Sequence, residues 1–283
     1  MNTQIHPAPP RPAPRPTPRG EQRRAQSRTG QDPRKNPRSY EFLGTDFEPL
    51  TLAQTLERTS EITLESTFRY IVTPNVDHIV RLRKEPDVFK PLYKASWLSV
   101  CDSRILELLA NLSGIPLKAV PGSDLTAQLF DHVIEKDTPI TVIGGDSAVI
   151  KAVRERYGLE ALKVHVPPMG MRSKPEAIAA AAKFIADNPA RYTFICVGSP
   201  QQEMVAKAAL ERGDCAGLGL CVGASLDFLA GKQVRAPKWL QAIRMEWLFR
   251  LLKEPKRMYK RYLIEGPKIF VIYLGWVFKN MRG

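Results

Sequence analysis

The sequence predicts an α/β protein with a mainly parallel sheet and helices on both faces, a Rossmann-like arrangement, followed by a basic helical appendage. Three observations support this. Short apolar runs alternate with amphipathic stretches of helical period through the middle of the chain. Several of these runs end in Gly, Asn or Asp, which is typical of strand-to-helix turns. The apolar fraction is 43% of 283 residues, which allows a sizeable buried core.

The expected elements alternate along the chain. Strands are predicted at 68–72, 97–101, 139–143, 161–166, 192–197 and 215–222, and helices at 75–85, 103–111, 124–135, 147–157, 175–187, 201–212 and from 225. N-caps are expected at Asn75, at Ser123 and at either Asp102 or Ser103. Because ligands of parallel sheets bind beyond the carboxyl ends of the strands, the site is predicted in the loops at 73–77, 101–104, 144–147, 198–203 and 223–227.

The net charge of +13 is unevenly distributed. Residues 1–40 carry nine Lys or Arg and two acids, and residues 235–283 carry twelve against three, whereas 41–234 has a charge of −3. The first segment also holds nine prolines and almost no apolar side chains, so a disordered tail is expected. We therefore predict a tail over 1–40, an α/β domain over 41–239 and a basic membrane-contacting segment over 240–283.

The last of these segments has the pattern of a basic amphipathic helix. Its cations and aromatic residues recur at spacings of three, four and seven, and the largely apolar run Ile269–Phe278 follows. Ten helical residues cover about half a bilayer, so this run is expected to lie at a membrane interface rather than cross it. The alternative is a helix that packs on the core with its charges in solvent.

Several classes of protein are disfavoured. Four cysteines are too few for a disulfide scaffold and indicate a reducing compartment. No run of 18 apolar residues and no signal-peptide pattern occurs. No zinc, RNP or helix-turn-helix signature supports nucleic-acid binding. There is no Asp-x-Asp pair and no cluster at metal-ligand spacing, so no metal and no cofactor are predicted.

The loops contain candidate site residues, each with a structural alternative. Thr73, Asn75 and Asp77 suit a polyhydroxylated ligand, although Asn75 is also explained as a helix cap. Asp102 follows a strand directly and is a candidate general base, or else a cap. The turns at Gly144-Gly145 and Gly198 favour phosphate at helix N-termini, without the spacing of a dinucleotide fingerprint. Gln202 is a candidate for sugar or uracil contacts.

These loops, read in order with blocks nearer the C-terminus, resemble the bacterial WecG/TagA/CpsF glycosyltransferase family. The matching stretches, which lie within about 68–262, are Thr73–Asp77, Cys101–Ser103, Gly122–Leu125, Ile143–Gly145, Gly198–Glu203, Val222–Asp227, Gly231, Arg235–Trp239, Glu246–Arg250 and Glu254–Tyr262. Two positions differ from the usual family pattern, namely Ser103 in place of Gly and Gln201 in place of Lys. Because Asp102 and Gln202 are kept, these differences predict a changed sugar specificity with activity retained.

The resemblance implies an inverting, metal-independent transferase of cell-surface polysaccharide synthesis. It would move N-acetylmannosamine, its uronic acid or a related sugar from a UDP donor to a polyprenyl-diphosphate-linked sugar, at the inner face of the cell membrane. Asp102 would be the base, and Thr73, Asn75 and Gln202 would orient the sugars. The donor would also be held by Gly144, Gly145, Gly198, Asp227, Arg250, Arg257 and Arg261.

Other functions remain open at this point. A nucleotide-sugar binding protein without catalysis is the alternative nearest to the transferase. A nicotinamide oxidoreductase is disfavoured because the glycine fingerprint is missing. The sequence does not identify the sugars, and it leaves a homo-oligomer open.

Overall fold

The protein was analysed as a computed structural model, which describes residues 39–233, 236–237, 240 and 246–281. The expected tail over 1–40 lies almost wholly outside the described residues, as do Arg235 and Trp239. The strands are β1 (Tyr40–Phe42), β2 (Thr45–Phe47), β3 (Arg69–Val72), β4 (Leu98–Ser99), β5 (Ile140–Gly144), β6 (Leu162–His165), β7 (Tyr192–Cys196) and β8 (Leu218–Cys221).

Helices follow most of these strands. They are α1 (Leu52–Ser60), α2 (Val76–Lys84), α3 (Pro86–Lys94), α4 (Arg104–Leu112), α5 (Gly122–His132), α6 (Ser147–Tyr157), α7 (Pro175–Asp187), α8 (Gln201–Arg212), α9 (Ser225–Leu229), α10 (Glu246–Lys253), α11 (Pro255–Tyr259) and α12 (Lys268–Asn280). A 3₁₀ turn spans Met171–Ser173, and a π-helical turn over Lys260–Glu265 joins α11 to the Gly266-Pro267 turn before α12.

The predicted α/β sheet is confirmed. Six parallel strands lie in the order β4-β3-β8-β7-β5-β6, and β1 and β2 form a separate antiparallel hairpin. The chain steps one way along the sheet from β3 to β4 and from β6 through β7 to β8, and the other way from β5 to β6. Since parallel crossovers are right-handed, these opposite steps place helices on both faces. The carboxyl ends of all six strands meet at one edge, as the site prediction requires.

Two cores lie on the two faces of the sheet. One contains side chains of α2, α3, α7 and α8, such as Ile79 and Val205, and the other contains side chains of α5, α6 and α9, such as Leu129 and Val153. The strands between them are apolar on both sides: Tyr70, Ile71 and Val72 are each 0% exposed. Burial on both faces explains why these strands appear in the sequence as continuous apolar runs.

The helix α12 is divided lengthwise between core and solvent. Ile269 is buried, and the Trp276 ring meets Phe42 with centroids 5.2 Å apart while its Nε1 donates to Glu41 Oε2 at 3.3 Å. The opposite side exposes Phe270, Val271, Leu274 and Phe278. Of the two alternatives for this run, the structure therefore shows core packing on one side and leaves an apolar surface on the other.

Three local features differ from the sequence-based expectations. The β1–β2 hairpin and the helices α1 and α3 were not expected, and α3 begins at Pro86 and carries Pro91 in its interior. The helix α5 begins at Gly122 rather than after a Ser123 cap, because Pro121 stands at its N-cap with φ near −60°. These features affect the surroundings of the sheet and leave its strand order as described.

Candidate active site

A cavity of about 450 Å³ lies at the carboxyl ends of β3 and β4. Its polar wall comes from the loops after these strands and from the start of α5. Its other wall is mostly apolar and comes from the segment after Glu246. The lining includes Asn75, Asp77, Asp102, Ser103, Ser123, Asp124, Trp247, Arg261, Tyr262, Leu263, Pro267, Ile269 and Phe270. A ligand that joins a sugar to an apolar chain would find a matching surface for both parts.

Asp102 is half-buried on the polar wall, in one of the loops where the sequence predicted the site. Its backbone N–H donates to the carbonyl of Pro74 at 3.0 Å, which joins the loops that follow β3 and β4. Ser103, not Asp102, caps α4, because Ser103 Oγ accepts from the N–H of Leu106 at 3.2 Å. The carboxylate of Asp102 is thus not required as the helix cap.

Ser103 stands where the family usually has glycine, so its backbone conformation shows whether the loop needs a glycine. Its φ is −162°, which is extended backbone that any residue adopts. The replacement of the usual glycine therefore does not strain this loop, and the hydroxyl that it adds is used as the cap of α4.

Asn75 and Asp77 connect the first loop to the segment after Glu246. Asn75 Oδ1 caps α2 by accepting from the N–H groups of Asp77 and His78, and it also accepts from Arg261 Nη2 at 3.4 Å. Arg261 Nε lies 3.9 Å from Asp77 Oδ2. Both interpretations of Asn75, cap and site residue, are compatible with this geometry.

Asp77 has a second and closer cation. Arg81 Nη2 lies 2.8 Å from Asp77 Oδ2, and Arg81 Nη1 donates to the carbonyl of Ser199 at 2.9 Å. Arg81 thereby links α2 to the loop after β7, and Asp77 keeps an ion pair whether or not Arg261 is in place.

His78, the residue after Asp77, is buried. Burial, together with the positive charges of Arg261 and Arg81, lowers the pKa of His78 to about 3. The imidazole is therefore neutral at physiological pH and is not suited to exchange protons with a substrate there.

Thr73 and Gln202 use their polar groups within the protein. Thr73 Oγ1 donates to the carbonyl of Cys221 at 3.1 Å. Gln202 Nε2 donates to Glu203 Oε1 and to the same carbonyl, and Gln202 Oε1 accepts from the N–H of Gly223 at 3.0 Å. Neither residue lines the cavity. Their hydrogen bonds tie the loop after β8 to the loop after β3 and to the start of α8.

Glu203 is 0% exposed beside Gln202. Burial raises the pKa of its carboxyl, although the amide of Gln202 and the nearby Ser199 and Arg81 oppose that rise. Tyr93 lies in the same buried region as Glu203, and burial raises the pKa of its phenol. These groups form a buried polar layer under the loop that begins at Gly198.

The glycine turns lie along the same edge of the sheet, at β5 and β7. Gly144 has a φ of +87°, and a Cβ there would approach Val197 Cγ1 to 2.7 Å, so glycine is required by both backbone and packing. Gly198 has a φ of +77° with open space around it. Neither Gly144, Gly145, Gly198 nor Asp227 lines the cavity described above.

The helix N-termini beyond these two turns differ. The N-terminus of α6 is capped by Asp146, whose Oδ1 accepts from the N–H of Ala148 at 2.8 Å and whose Oδ2 lies 3.0 Å from Lys232 Nζ. The N-terminus of α8 follows Pro200 and has no side-chain cap within the described residues. Asp146 thus occupies one of the expected phosphate-binding amides of α6, whereas at α8 no side chain does so and the N–H of Gln202 donates to the carbonyl of Gly198 at 2.8 Å.

Arg250 and Arg257 belong to α10 and α11 by their backbone, and their side chains lie outside what the structure describes. Of the three candidate arginines, Arg261 is the one whose contacts are described. Sequence reasoning did not single out Arg81, and it placed Asp124 and Trp247 in matching stretches without a role in the site. A signal for Arg81 was present, since Asp77 and Arg81 have the i,i+4 spacing of a helical ion pair.

The cavity lies beyond the carboxyl ends of the strands, which is where parallel α/β sheets of this class bind their ligands. The sequence model of the Glycosyl transferase WecG/TagA/CpsF family matches residues 40–283. The chain belongs to this family, as the motifs predicted, and is a glycosyltransferase of cell-surface polysaccharide synthesis. The family in general uses a nucleotide-sugar donor and a lipid-linked acceptor.

Two structural features are absent from residues 39–233, 236–237, 240 and 246–281. No helix in them is both long and apolar enough to cross a bilayer. No group of three His, Cys, Asp or Glu side chains in them is arranged to hold a metal ion.

Proposed function

We propose that this protein is an inverting glycosyltransferase that transfers an N-acetylmannosamine-type sugar, its uronic acid or a related sugar from a UDP donor. The acceptor is a polyprenyl-diphosphate-linked sugar, and no metal takes part. The observation that carries the proposal is the two-sided cavity, in which Asp102 faces a mostly apolar wall formed by the segment after Glu246. The polar wall suits the acceptor sugar and the apolar wall suits the first units of its lipid.

In this mechanism Asp102 takes the proton from the acceptor hydroxyl as the oxygen attacks the anomeric carbon and the bond to UDP breaks. A positioned base typically contributes about 10²–10⁴ in rate. The leaving diphosphate then needs positive charge. Arg261 is the described cation that reaches the cavity from the segment after Glu246, and the uncapped N-terminus of α8 is a second source. Arg250 and Arg257 are proposed to assist.

A peripheral position at the inner face of the cell membrane fits this acceptor. Nine of the fourteen large apolar side chains exposed in the described residues lie in 246–281. Cations accompany them at Lys253, Lys256, Lys260, Lys268 and Lys279. A surface that combines apolar and basic side chains is typical of interfacial helices.

The test combines a substrate panel with one matched pair of variants. The protein is incubated with UDP-sugars and synthetic polyprenyl-diphosphate sugars, and product is followed by mass spectrometry. Asp102→Asn should lower kcat by at least about 10²-fold while the UDP-sugar still binds in calorimetry. The matched control Asp137→Asn changes an exposed carboxyl in the turn before β5, outside the cavity, and should keep kcat within about threefold. Unchanged turnover in Asp102→Asn would favour the binding-protein alternative or another base.

A further inference from the structure

A second cleft lies on the far side of α12 from the active-site cavity. It has a volume of about 560 Å³ and is formed by the β1–β2 hairpin, the junction of α2 and α3, and α12. Four cations line it, namely Arg83, Lys90, Lys94 and Lys279, and we call it the cation cleft. Trp276 and the ring of Tyr93 form part of its apolar lining.

The charges of the cation cleft are unbalanced. None of its four cations forms a salt bridge with a residue that the structure describes. Two carboxylates also line the cleft, Glu41 and Asp46, and Glu41 already accepts from Trp276 Nε1 and from the N–H of Gly44. Four cations against two acids leave an excess of positive charge in a concave surface, which favours an anionic ligand.

The position of the cleft on α12 indicates that its anionic ligand belongs to a membrane surface. Lys268, Gly275 and Lys279 are spaced by seven and four residues, so they share one side of the helix. Phe270, Leu274 and Phe278 are spaced by four and share the neighbouring, exposed apolar side. A helix that inserts this apolar side between lipids holds the cation side at the depth of the headgroups.

We propose that the cation cleft binds the headgroup of an anionic phospholipid. The phosphate would lie among Arg83, Lys90, Lys94 and Lys279, and Gly275 leaves the space for it, since a Cβ there would meet nothing within 4 Å. The inference rests on the membrane contact in the proposed function and adds a specific lipid site to it. Because α12 lines both the cleft and the active-site cavity, a lipid held on one side fixes how the other side meets the bilayer.

The experiment measures binding of the full-length protein to vesicles by pelleting. One set of vesicles is phosphatidylcholine alone, and the other is phosphatidylcholine mixed with phosphatidylglycerol. The test variant is Lys90→Glu with Lys94→Glu, on α3. The matched control is Lys151→Glu with Lys163→Glu, on α6 and β6 at the opposite edge of the sheet, which changes the net charge equally.

A lysine near an anionic surface raises vesicle binding about fivefold, so replacing two lysines by glutamates should weaken binding to the anionic vesicles at least about 25-fold. The control should change it less than about threefold, and binding to phosphatidylcholine alone should be equal in both variants. Turnover of a soluble acceptor should stay at the wild-type rate, because neither lysine lines the active-site cavity. A third variant, Leu274→Ser with Phe278→Ser, should weaken binding to both kinds of vesicle.

Equal losses of vesicle binding in the test variant and the control would overturn the proposal of a lipid site in the cation cleft. They would leave only general electrostatic attraction to the membrane. If inorganic phosphate, added without vesicles, saturates the cleft at a lower concentration than accessible phosphatidylglycerol does, the cleft is a free-phosphate site and the lipid proposal is overturned. If the wild-type protein binds neither kind of vesicle, the membrane contact itself fails. If it binds but transfers no sugar, the proposed reaction fails instead.

Discussion

Replacing Arg261 by alanine should separate the chemistry of the site from its stability. Arg261 reaches Asn75 Oδ1 at 3.4 Å and Asp77 Oδ2 at 3.9 Å, and its side chain is 36% exposed. An ion pair this open contributes at most about 1 kcal/mol to folding. Asp77 keeps Arg81 at 2.8 Å after the change, so no carboxylate loses its last cation.

The expected loss of stability is therefore small. About 1 kcal/mol lowers Tm by roughly 2–4 °C in a protein of this size. The expected loss of activity is much larger, because removing one group that stabilises charge in a transition state typically costs about 10²–10³ in kcat. The kcat of Arg261→Lys should lie between those of the wild type and Arg261→Ala. An ammonium keeps the charge but lacks the planar guanidinium that reaches both Asn75 and Asp77.

The assay compares kcat and KM for a UDP-sugar and a soluble acceptor with Tm from thermal unfolding. Lys260→Ala is the matched control, because Lys260 is the exposed neighbour in the same π-helical turn. It should leave kcat and Tm close to wild type. Two results would refute this reasoning. One is turnover by Arg261→Ala at the wild-type rate. The other is a loss of activity together with a fall in Tm of more than about 10 °C, which would indicate a folding defect.

Three further predictions concern other parts of the chain. Activity should persist in EDTA, because the sequence lacks an Asp-x-Asp pair; complete loss with rescue by Mn²⁺ would contradict this. A chain that starts at Glu41 should turn over a soluble acceptor normally, and a lower rate would assign the basic tail a part in the reaction. Glu203→Gln should raise Tm at about pH 8 and leave it unchanged near pH 4. The reason is that burial raises the folded-state pKa of Glu203 above about 4.3, the unfolded value, so the wild-type carboxyl destabilises the fold only where it must ionise. A lower Tm at pH 8 would show that its charge is needed by Arg81 or Gln202.

The alternation of strands and helices was predictable because most strands of the sheet are buried on both faces and have short apolar runs, the edge strand β6 being the exception. The loops at the strand ends followed from topology alone, and Asp102 with them. What the sequence did not reveal was which polar side chains are already used. Thr73, Gln202 and Asn75 share the chemistry of ligand-binding residues, yet the first two bond to backbone groups across the sheet.

Contacts between distant parts of the chain were also not predictable from the sequence. Ser103 and Asp102 were equal candidates for a cap until the backbone fixed φ and ψ. The division of α12 into a core side and an exposed side depends on Phe42 and the β1–β2 hairpin, more than 200 residues earlier. No local periodicity identifies which side of an almost uniformly apolar helix will meet that hairpin.

The order of synthesis has a consequence for a cavity whose two walls lie so far apart in the chain. The six strands and the carboxylate of Asp102 leave the ribosome well before Trp247, Arg261 and Phe270. Until the segment after Glu246 has been made and has packed against the sheet, the polar wall that carries Asp102 is one side of an open groove. The closed cavity is therefore the last part of the site to form, whatever the state of the sheet.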